Sequence, residues 1–223
     1  MESLSLPAVP ASRDDAPDPI VVDEVLRGDR ARFAILVRRH NQRMFRAARA
    51  VLGDAAEAED VVQHAWVSAF TSLAGFRGDA AFSTWVTRIA VHEALARRRR
   101  RARLSAVELG DVPTERAADP EQRAILGEIG QALGRHLDAL PDGLRAVVVL
   151  RDLLELDTAE TATCLGISAE AVRVRLHRAR GALHRALGAD GELWLHQAYR
   201  FAGAQCDRTV RDVLIAIGAA DVR

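Results

Sequence analysis

Lysine is absent from this chain: all 31 basic residues are arginine, they face 31 acidic ones, and the net charge is zero. A neutral chain has no global field that singles out nucleic acid, a membrane or an acidic partner, so only local patches can do so. Cysteine is scarce too. Cys164 and Cys206 are too few for a disulfide framework and lack the paired spacing of a zinc site, which leaves two free thiols in a reducing compartment. No apolar stretch approaches the ~18 residues that cross a bilayer. The N-terminus, with Pro7, Pro10, Pro17 and Pro19 among Ala, Ser and Asp, has no basic segment leading into an apolar one, so it is not read as a secretory signal. Residues 1–19 are expected to form a disordered leader, and the protein is expected to be cytoplasmic, without membrane contact. Catalytic signatures are also missing. His92-Glu93 is not followed by a second His, because Ala96 holds that place, and no Gly-rich phosphate cradle is present. The sequence therefore predicts neither an enzyme nor a metal or cofactor site.

What is present suffices for a folded chain. Of 223 residues, 49% are hydrophobic and 28% charged, far from the signature of disorder. The length allows one large or two small domains. From Asp29 onward, Phe33, Leu36, Val37, His40, Met44, Phe45, Ala48 and Leu52 recur at helical steps, and Gly53 stops that helix. A second helix starts near Ala56, with Glu57, Glu59 and Asp60 at the positive end of its dipole, and carries the stripe Val62, Trp66, Ala69 and Leu73. After a short loop at residues 76–79, a third helix begins close to Ser83, a good N-cap, and runs through Trp85, Ile89 and Leu95 into the arginines at 97–101. This predicts a helical block over residues 20–103. Over residues 104–121 the periodicity fails, Gly110, Pro113 and Pro120 appear, and the charge turns acidic, as in a linker. Helices are read again over residues 122–138, 141–155, 158–165 and 169–187, a second block spanning 122–187. Strand-like alternation is nowhere convincing. The expected fold class is all-α: two small helical domains joined by a flexible linker, the second with a helix-turn-helix. Residues 188–223 form a C-terminal extension in which Val210, Val213, Leu214 and Ile217 predict an amphipathic helix. It is expected to pack on the second domain or to bind a regulator or another copy.

The helix-turn-helix rests on several local signals. Asp157 can cap a short helix while Glu160 reaches back, Gly166 ends that helix, and Ser168 can cap the next. Along that longer helix Val172, Leu176, Ala179 and Leu183 form the apolar seam, while Glu170, Arg173, Val174, His177 and Arg178 fall on or beside the opposite face. Recognition helices touch bases mainly from their N-terminal half, which favours Glu170, Arg173 and Val174 as base readers and Arg178 and Arg185 as phosphate contacts. Taken alone, an arginine-rich helix reads equally well as a solvated surface. The short capped helix, glycine turn and longer basic helix occurring together tilt the reading toward DNA.

Further motifs carry a resemblance. Leu140-Pro141-Asp142-Gly143-Leu144-Arg145, Gly166-Ile167-Ser168 and the run from Val172 to Arg180 resemble region 4 of sigma-70 family factors. Gly53-Asp54 with Ala58-Glu59-Asp60-Val61-Val62-Gln63 resembles region 2.2. Phe76-Arg77-Gly78-Asp79-Ala80-Ala81-Phe82-Ser83-Thr84-Trp85 with Arg88-Ile89-Ala90 resembles regions 2.3 and 2.4. The order and spacing are similar to the small extracytoplasmic-function (ECF) group. The resemblance implies a sigma factor that binds core RNA polymerase and directs initiation at promoters with minus-ten and minus-thirty-five elements, with an anti-sigma factor or other regulator as a further partner. It implies that Asp60 and Gln63 face the polymerase. Phe76, Arg77, Asp79, Arg88, His92, Arg97 and Arg98 would serve the minus-ten element, and the recognition helix the minus-thirty-five element. Arg77, Arg88 and the arginine run beside Phe76, Phe82 and Trp85 suit a single strand, which needs a cationic track and aromatic planes. Phe82 and Trp85 also lie at core spacing and read better as packing residues. The sequence departs from the family at His64, where Glu is usual, and at His92, where Asn is usual. The rival reading is a helix-turn-helix activator or repressor that acts without core polymerase; it assigns nothing to Asp60, Gln63 or the loop at 76–79.

Overall fold

The computed structural model describes residues 15–107, 128–187, 198–199 and 203–219, and these are helical with no strand among them. Helix α1 (Asp18–Leu26) buries Val21, Val22 and Val25. Its first residue is held from α2 (Phe33–Leu52), where Arg39 and His40 reach Asp18 at 2.9 and 2.7 Å, and Arg39 also donates to the Ala16 carbonyl. Residues 15–19, assigned to the leader on their proline content, are therefore tied into the fold, because Pro17 can precede a first helical turn without losing a needed N–H. Residues 1–14 lie outside the described residues.

The apolar stripe of α2 is buried as its periodicity demands, from Phe33 through Leu36, Val37, Met44 and Phe45 to Leu52. The helix ends in Gly53 at φ +76°, and α3 (Ala55–Thr71) follows at once, capped by the Asp54 carboxylate on the Glu57 N–H at 2.8 Å. Helix α4 (Phe82–Val107) closes a three-helix bundle with α2 and α3. Trp66 is fully buried at its centre, edge-on to Phe33 at 5.6 Å, with its indole N–H donated to the buried Asn41 at 3.0 Å. Full burial of such a side chain stabilises by ~1.5–3 kcal/mol. Because α4 runs on to Val107, residues 104–107 belong to a helix and not to the linker. Arginine and alanine are good helix formers and carry it past the last core contact. Residues 108–127, the rest of the expected linker, lie outside the described residues.

The second block comprises α5 (Glu128–Asp138), α6 (Asp142–Val148), α7 (Thr158–Leu165) and α8 (Ala169–Leu187). The helix expected over 141–155 does not continue regularly. It passes into a π turn at Val149–Leu153, with the Leu154 N–H donated to the Val149 carbonyl five residues back, and Glu155 leaves at φ +57°.

The two blocks pack on one another. Helix α6 lies against α2 and α7 against α4, and the buried apolar residues form one continuous cluster. Arg145 of α6 is only 3% exposed; its guanidinium donates to the Ala50 carbonyl at 2.9 Å, to the Asp138 and Leu140 carbonyls, each at 3.3 Å, and to the Asp142 carboxylate at 2.8 Å. Ala50 stands in the last turn of α2, where orphan carbonyls favour a cation. Gly53 is constrained twice over: its φ is left-handed, and a Cβ there would lie 2.9 Å from the Arg145 guanidinium. Helix α9 (Gly203–Ala216) is the amphipathic helix of the extension, but it packs on α2 and α3 instead of on the second block. Its buried Val210 and Val213, with Ile217 just past its end, join the core of the first bundle.

Candidate nucleic-acid interface

The second block builds its candidate site from a capped pair of helices. The Asp157 carboxylate accepts from the Glu160 N–H while Glu160 accepts from the Asp157 N–H, both at 2.8 Å, so α7 starts in a reciprocal capping box. Gly166 ends it at φ +64°, and the Ser168 hydroxyl accepts from the Ala171 N–H at 3.1 Å to start α8. Val172, Ala179 and Leu183 bury the seam, and Arg180 grips Asp152 with two bonds of 2.8 and 2.6 Å, bracing α8 against the π turn. The opposite face is thereby held outward. Glu170, Arg173, Val174, His177 and Arg178 are all exposed, with Arg173 bridged to Glu170 at 2.7 Å. An exposed pair of this kind is worth about 0–1 kcal/mol, little enough to exchange for a base or a phosphate.

The first block presents a loop and a helix face. Phe76 is half-buried and meets Phe82 and Trp85 at 5.4 Å each, so the aromatic group is one packed cluster with Phe82 at its base. Arg77 and Asp79 are more than three-quarters exposed, 3.4 Å apart across Gly78, whose φ is +77°. A cavity of about 380 Å³ opens here, lined by Phe76, Arg77, Asp79, Trp85 and Arg88 on one side and by Ala159, Glu160, Thr163 and Cys164 of α7 on the other. Arg88 and His92 stand one turn apart on the side of α4 that meets α7. Burial and the neighbouring Arg88 push the His92 imidazole below its ordinary range, against a backbone hydrogen bond with Thr163. Arg97 and Arg98 are half-buried, and Arg98 lies 3.6 Å from Asp142, so the arginine run is partly engaged by the second block.

Asp60 is exposed and Gln63 half-buried on α3, with His64 turned back so that its Nδ1 meets the Asp60 carbonyl at 2.7 Å. No group of three or more candidate metal ligands occurs among the described residues. Burial raises the Cys164 thiol to about 11, which keeps it protonated and inert. No helix among the described residues is long and apolar enough to cross a membrane.

Sequence reasoning passed over a set of joining residues. Arg43 reaches the Leu154 carbonyl and the Thr87 hydroxyl, Arg49 binds Asp138 at 2.7 Å, and Tyr199 donates its hydroxyl to Asp138 at 2.7 Å. Burial, followed by the Asp138 charge, pushes the Tyr199 phenol well above its ordinary range, so it stays a donor. A single arginine among 31 gives no periodicity or motif by which a cross-block contact could be recognised.

The geometry defines an all-α protein with a helix-turn-helix and a second, aromatic-and-arginine surface suited to nucleic acid. Residues 36–104 match the Sigma-70 region 2 family model and residues 130–183 the Sigma-70, region 4 model. The chain is 34% identical to the RNA polymerase sigma-H factor of Pseudomonas aeruginosa, over 76% of this chain and 93% of that one. It is 32% identical to the ECF RNA polymerase sigma-E factor of Escherichia coli K12, over 74% and 92%. Among solved structures it is similar to CnrH in complex with the cytosolic domain of CnrY, at a TM-score of 0.52, 30% identity and coverage of 78% and 98%. It shares its fold with the sigma factor RpoE of Bartonella quintana bound to the anti-sigma factor NepR, at a TM-score of 0.58, 22% identity and coverage of 70% and 94%. The chain belongs to the sigma-70 family, in its ECF group. It is a promoter-directing sigma factor whose partners are core RNA polymerase and promoter DNA, and the rival reading of a regulator working without polymerase finds no support in these relatives.

Proposed function

We propose that this chain performs its recruiting task through three surfaces: Asp60 and Gln63 of α3 on core polymerase, the 76–79 loop with Arg88, His92, Arg97 and Arg98 on the minus-ten element, and the outer face of α8 on the minus-thirty-five element. The observation that carries this reading is α8, whose seam is buried and braced by Arg180 while five residues that can meet DNA stand exposed. In that orientation Glu170, Arg173 and Val174 enter the major groove and Arg178 meets phosphate. On α4, Arg88 lines a cavity walled by Trp85, where an unstacked base has both a cation and a ring beside it, and His92 follows one turn further along. The chain does no chemistry of its own and acts in the cytoplasm. An anti-sigma factor is its regulator, as the complexes of CnrH and of the Bartonella protein suggest.

The decisive experiment adds the purified chain to core polymerase at a defined promoter. Specific initiation is expected, and its absence with an active core would end the reading. In a pull-down, Asp60→Arg or Gln63→Ala should weaken core binding while leaving the circular dichroism spectrum unchanged. Undiminished binding would remove α3 from the docking surface.

A further inference from the structure

Gln205, in the first turn of α9, donates to the Glu59 carboxylate at 2.6 Å, and Glu59 stands directly beside Asp60 on α3. At about 100° per residue, Gln63 lies ~40° around the helix from Glu59, between it and Asp60. A helix is ~10–12 Å across and packs with its axis ~8–10 Å from its neighbour. Helix α9 therefore fills the space alongside the Asp60 and Gln63 stripe, where an incoming helix would have to seat. Arg38 of α2 pairs with Asp207, and Arg30, ahead of α2, donates to the carbonyl of Ile217, just past α9, at 3.1 Å, so the segment is fastened near both ends.

The same segment also fastens the second block. Gln42 of α2 donates to the Tyr199 carbonyl at 2.6 Å, and the Arg49 guanidinium sits over the Tyr199 ring at 5.2 Å. The Tyr199 hydroxyl then reaches Asp138 at the end of α5, the carboxylate that Arg49 also binds. One residue thus joins the extension, the first block and the second. The buried apolar seam holding this segment is short, Val210, Val213 and Ile217, and the Gln205, Asp207 and Ile217 hydrogen bonds around it are exchangeable for others, so a larger interface can replace it.

We propose that Tyr199 and α9 form an internal clamp that competes with core polymerase: docked, they crowd the α3 stripe and hold the second block against the first; displaced, they free both. The inference rests on the assignment of Asp60 and Gln63 to polymerase docking. Its consequence is a conformational tax, since only the fraction of molecules with the clamp open binds at full strength.

The test uses the full chain in three forms: wild type, the pair Tyr199→Phe with Gln205→Ala, and Val213→Asp, which puts a charge into the α9 seam. Hydrogen exchange read by mass spectrometry should speed up roughly tenfold in α5 and α7 as well as in α9 for both altered forms, because the openings are coupled. Core polymerase should bind them about three- to tenfold more tightly, as the tax is removed. Faster exchange confined to α9 with unchanged polymerase affinity would overturn the proposal. Should Val213→Asp fail to fold, the milder pair decides the matter alone. Adding Asp60→Arg to each form separates the two readings. Loss of binding in all three supports the docking surface, whereas no loss, with tighter binding kept in the clamp variants, would retire the docking assignment and leave the clamp acting on the two blocks.

Discussion

Arg173 and Arg178 are alike in chemistry and exposure, and the proposed orientation of α8 gives them different tasks. Arg173→Ala should cost ~1–3 kcal/mol and act at one base pair of the minus-thirty-five element. Arg178→Ala should weaken every duplex about equally and reduce the salt slope by about one, as loss of a phosphate contact does. Fluorescence anisotropy on wild-type and base-substituted duplexes over a salt series distinguishes them; a uniform effect of Arg173→Ala would mean the helix is turned the other way. His40 bears on stability instead. Burial against Phe82, opposed by Asp18 and aided by Arg43 and Arg39, holds its imidazole below the ordinary 6.5. The unfolded chain then binds a proton more readily than the folded one, so this contribution to stability is full above 6.5 and is lost as the pH falls through the lowered folded value. Thermal unfolding midpoints should drop on acidification from pH ~8 to ~5.5 in the wild type, and less in His40→Gln. An equal drop in both would place the acid sensitivity elsewhere.

At the scale of elements, the helix-turn-helix depends on its caps more than on its length. Helix α7 spans Thr158–Leu165, too short to persist on propensity alone. The reciprocal Asp157 and Glu160 bonds satisfy two N–H groups at its start, and Asp157→Ala should therefore destabilise the chain by ~0.5–2 kcal/mol in urea unfolding. Because α7 sets the angle at which α8 leaves Gly166, the same variant should lose minus-thirty-five affinity; an unchanged unfolding midpoint would show that packing, not the cap, forms the helix. Most helices were legible from such signals: the stripe of α2, the acidic first turn of α3, and the α7 and α8 boundaries all follow local rules. The π turn did not, since nothing in Val149 to Leu153 departs from an ordinary helical pattern. It arises where α6 must turn the chain toward α7 while its buried valines stay on the α2 face.

The whole molecule is closed, and that bears on how it reads a promoter. Two elements named for positions about 25 base pairs apart are separated by ~85 Å of duplex at ~3.4 Å per step. In this structure the 76–79 loop and α7 line one cavity. On the proposed assignment of the two surfaces, the blocks part before both elements are engaged. Arg145 is the buried rivet between them, and Arg145→Met should leave the Ala50, Asp138 and Leu140 carbonyls short of a donor, at a cost of ~1–3 kcal/mol per group left unsatisfied. Urea unfolding should show that loss, and small-angle scattering a larger radius; a stable variant with an unchanged radius would mean the apolar contacts alone keep the blocks together.

The sequence by itself determined the helices, the two blocks, the helix-turn-helix and the family, because each depends on neighbours a few residues apart: a period, a cap, a glycine at positive φ, an ordered motif. It also marked Asp60, the 76–79 loop and the α8 face as surface groups with chemistry to offer. Only the tertiary structure decided that the blocks close on each other, that Arg145 fills the end of α2 beside Gly53, and that α9 lies on the first block with Tyr199 between the two. Arg145 reaches Ala50 across 95 positions, Tyr199 reaches Asp138 across 61, and Arg30 reaches Ile217 across 187. Arginine is spread along this whole chain, and which guanidinium is buried depends on where folding places a carbonyl or carboxylate beside it, a condition that no local pattern records.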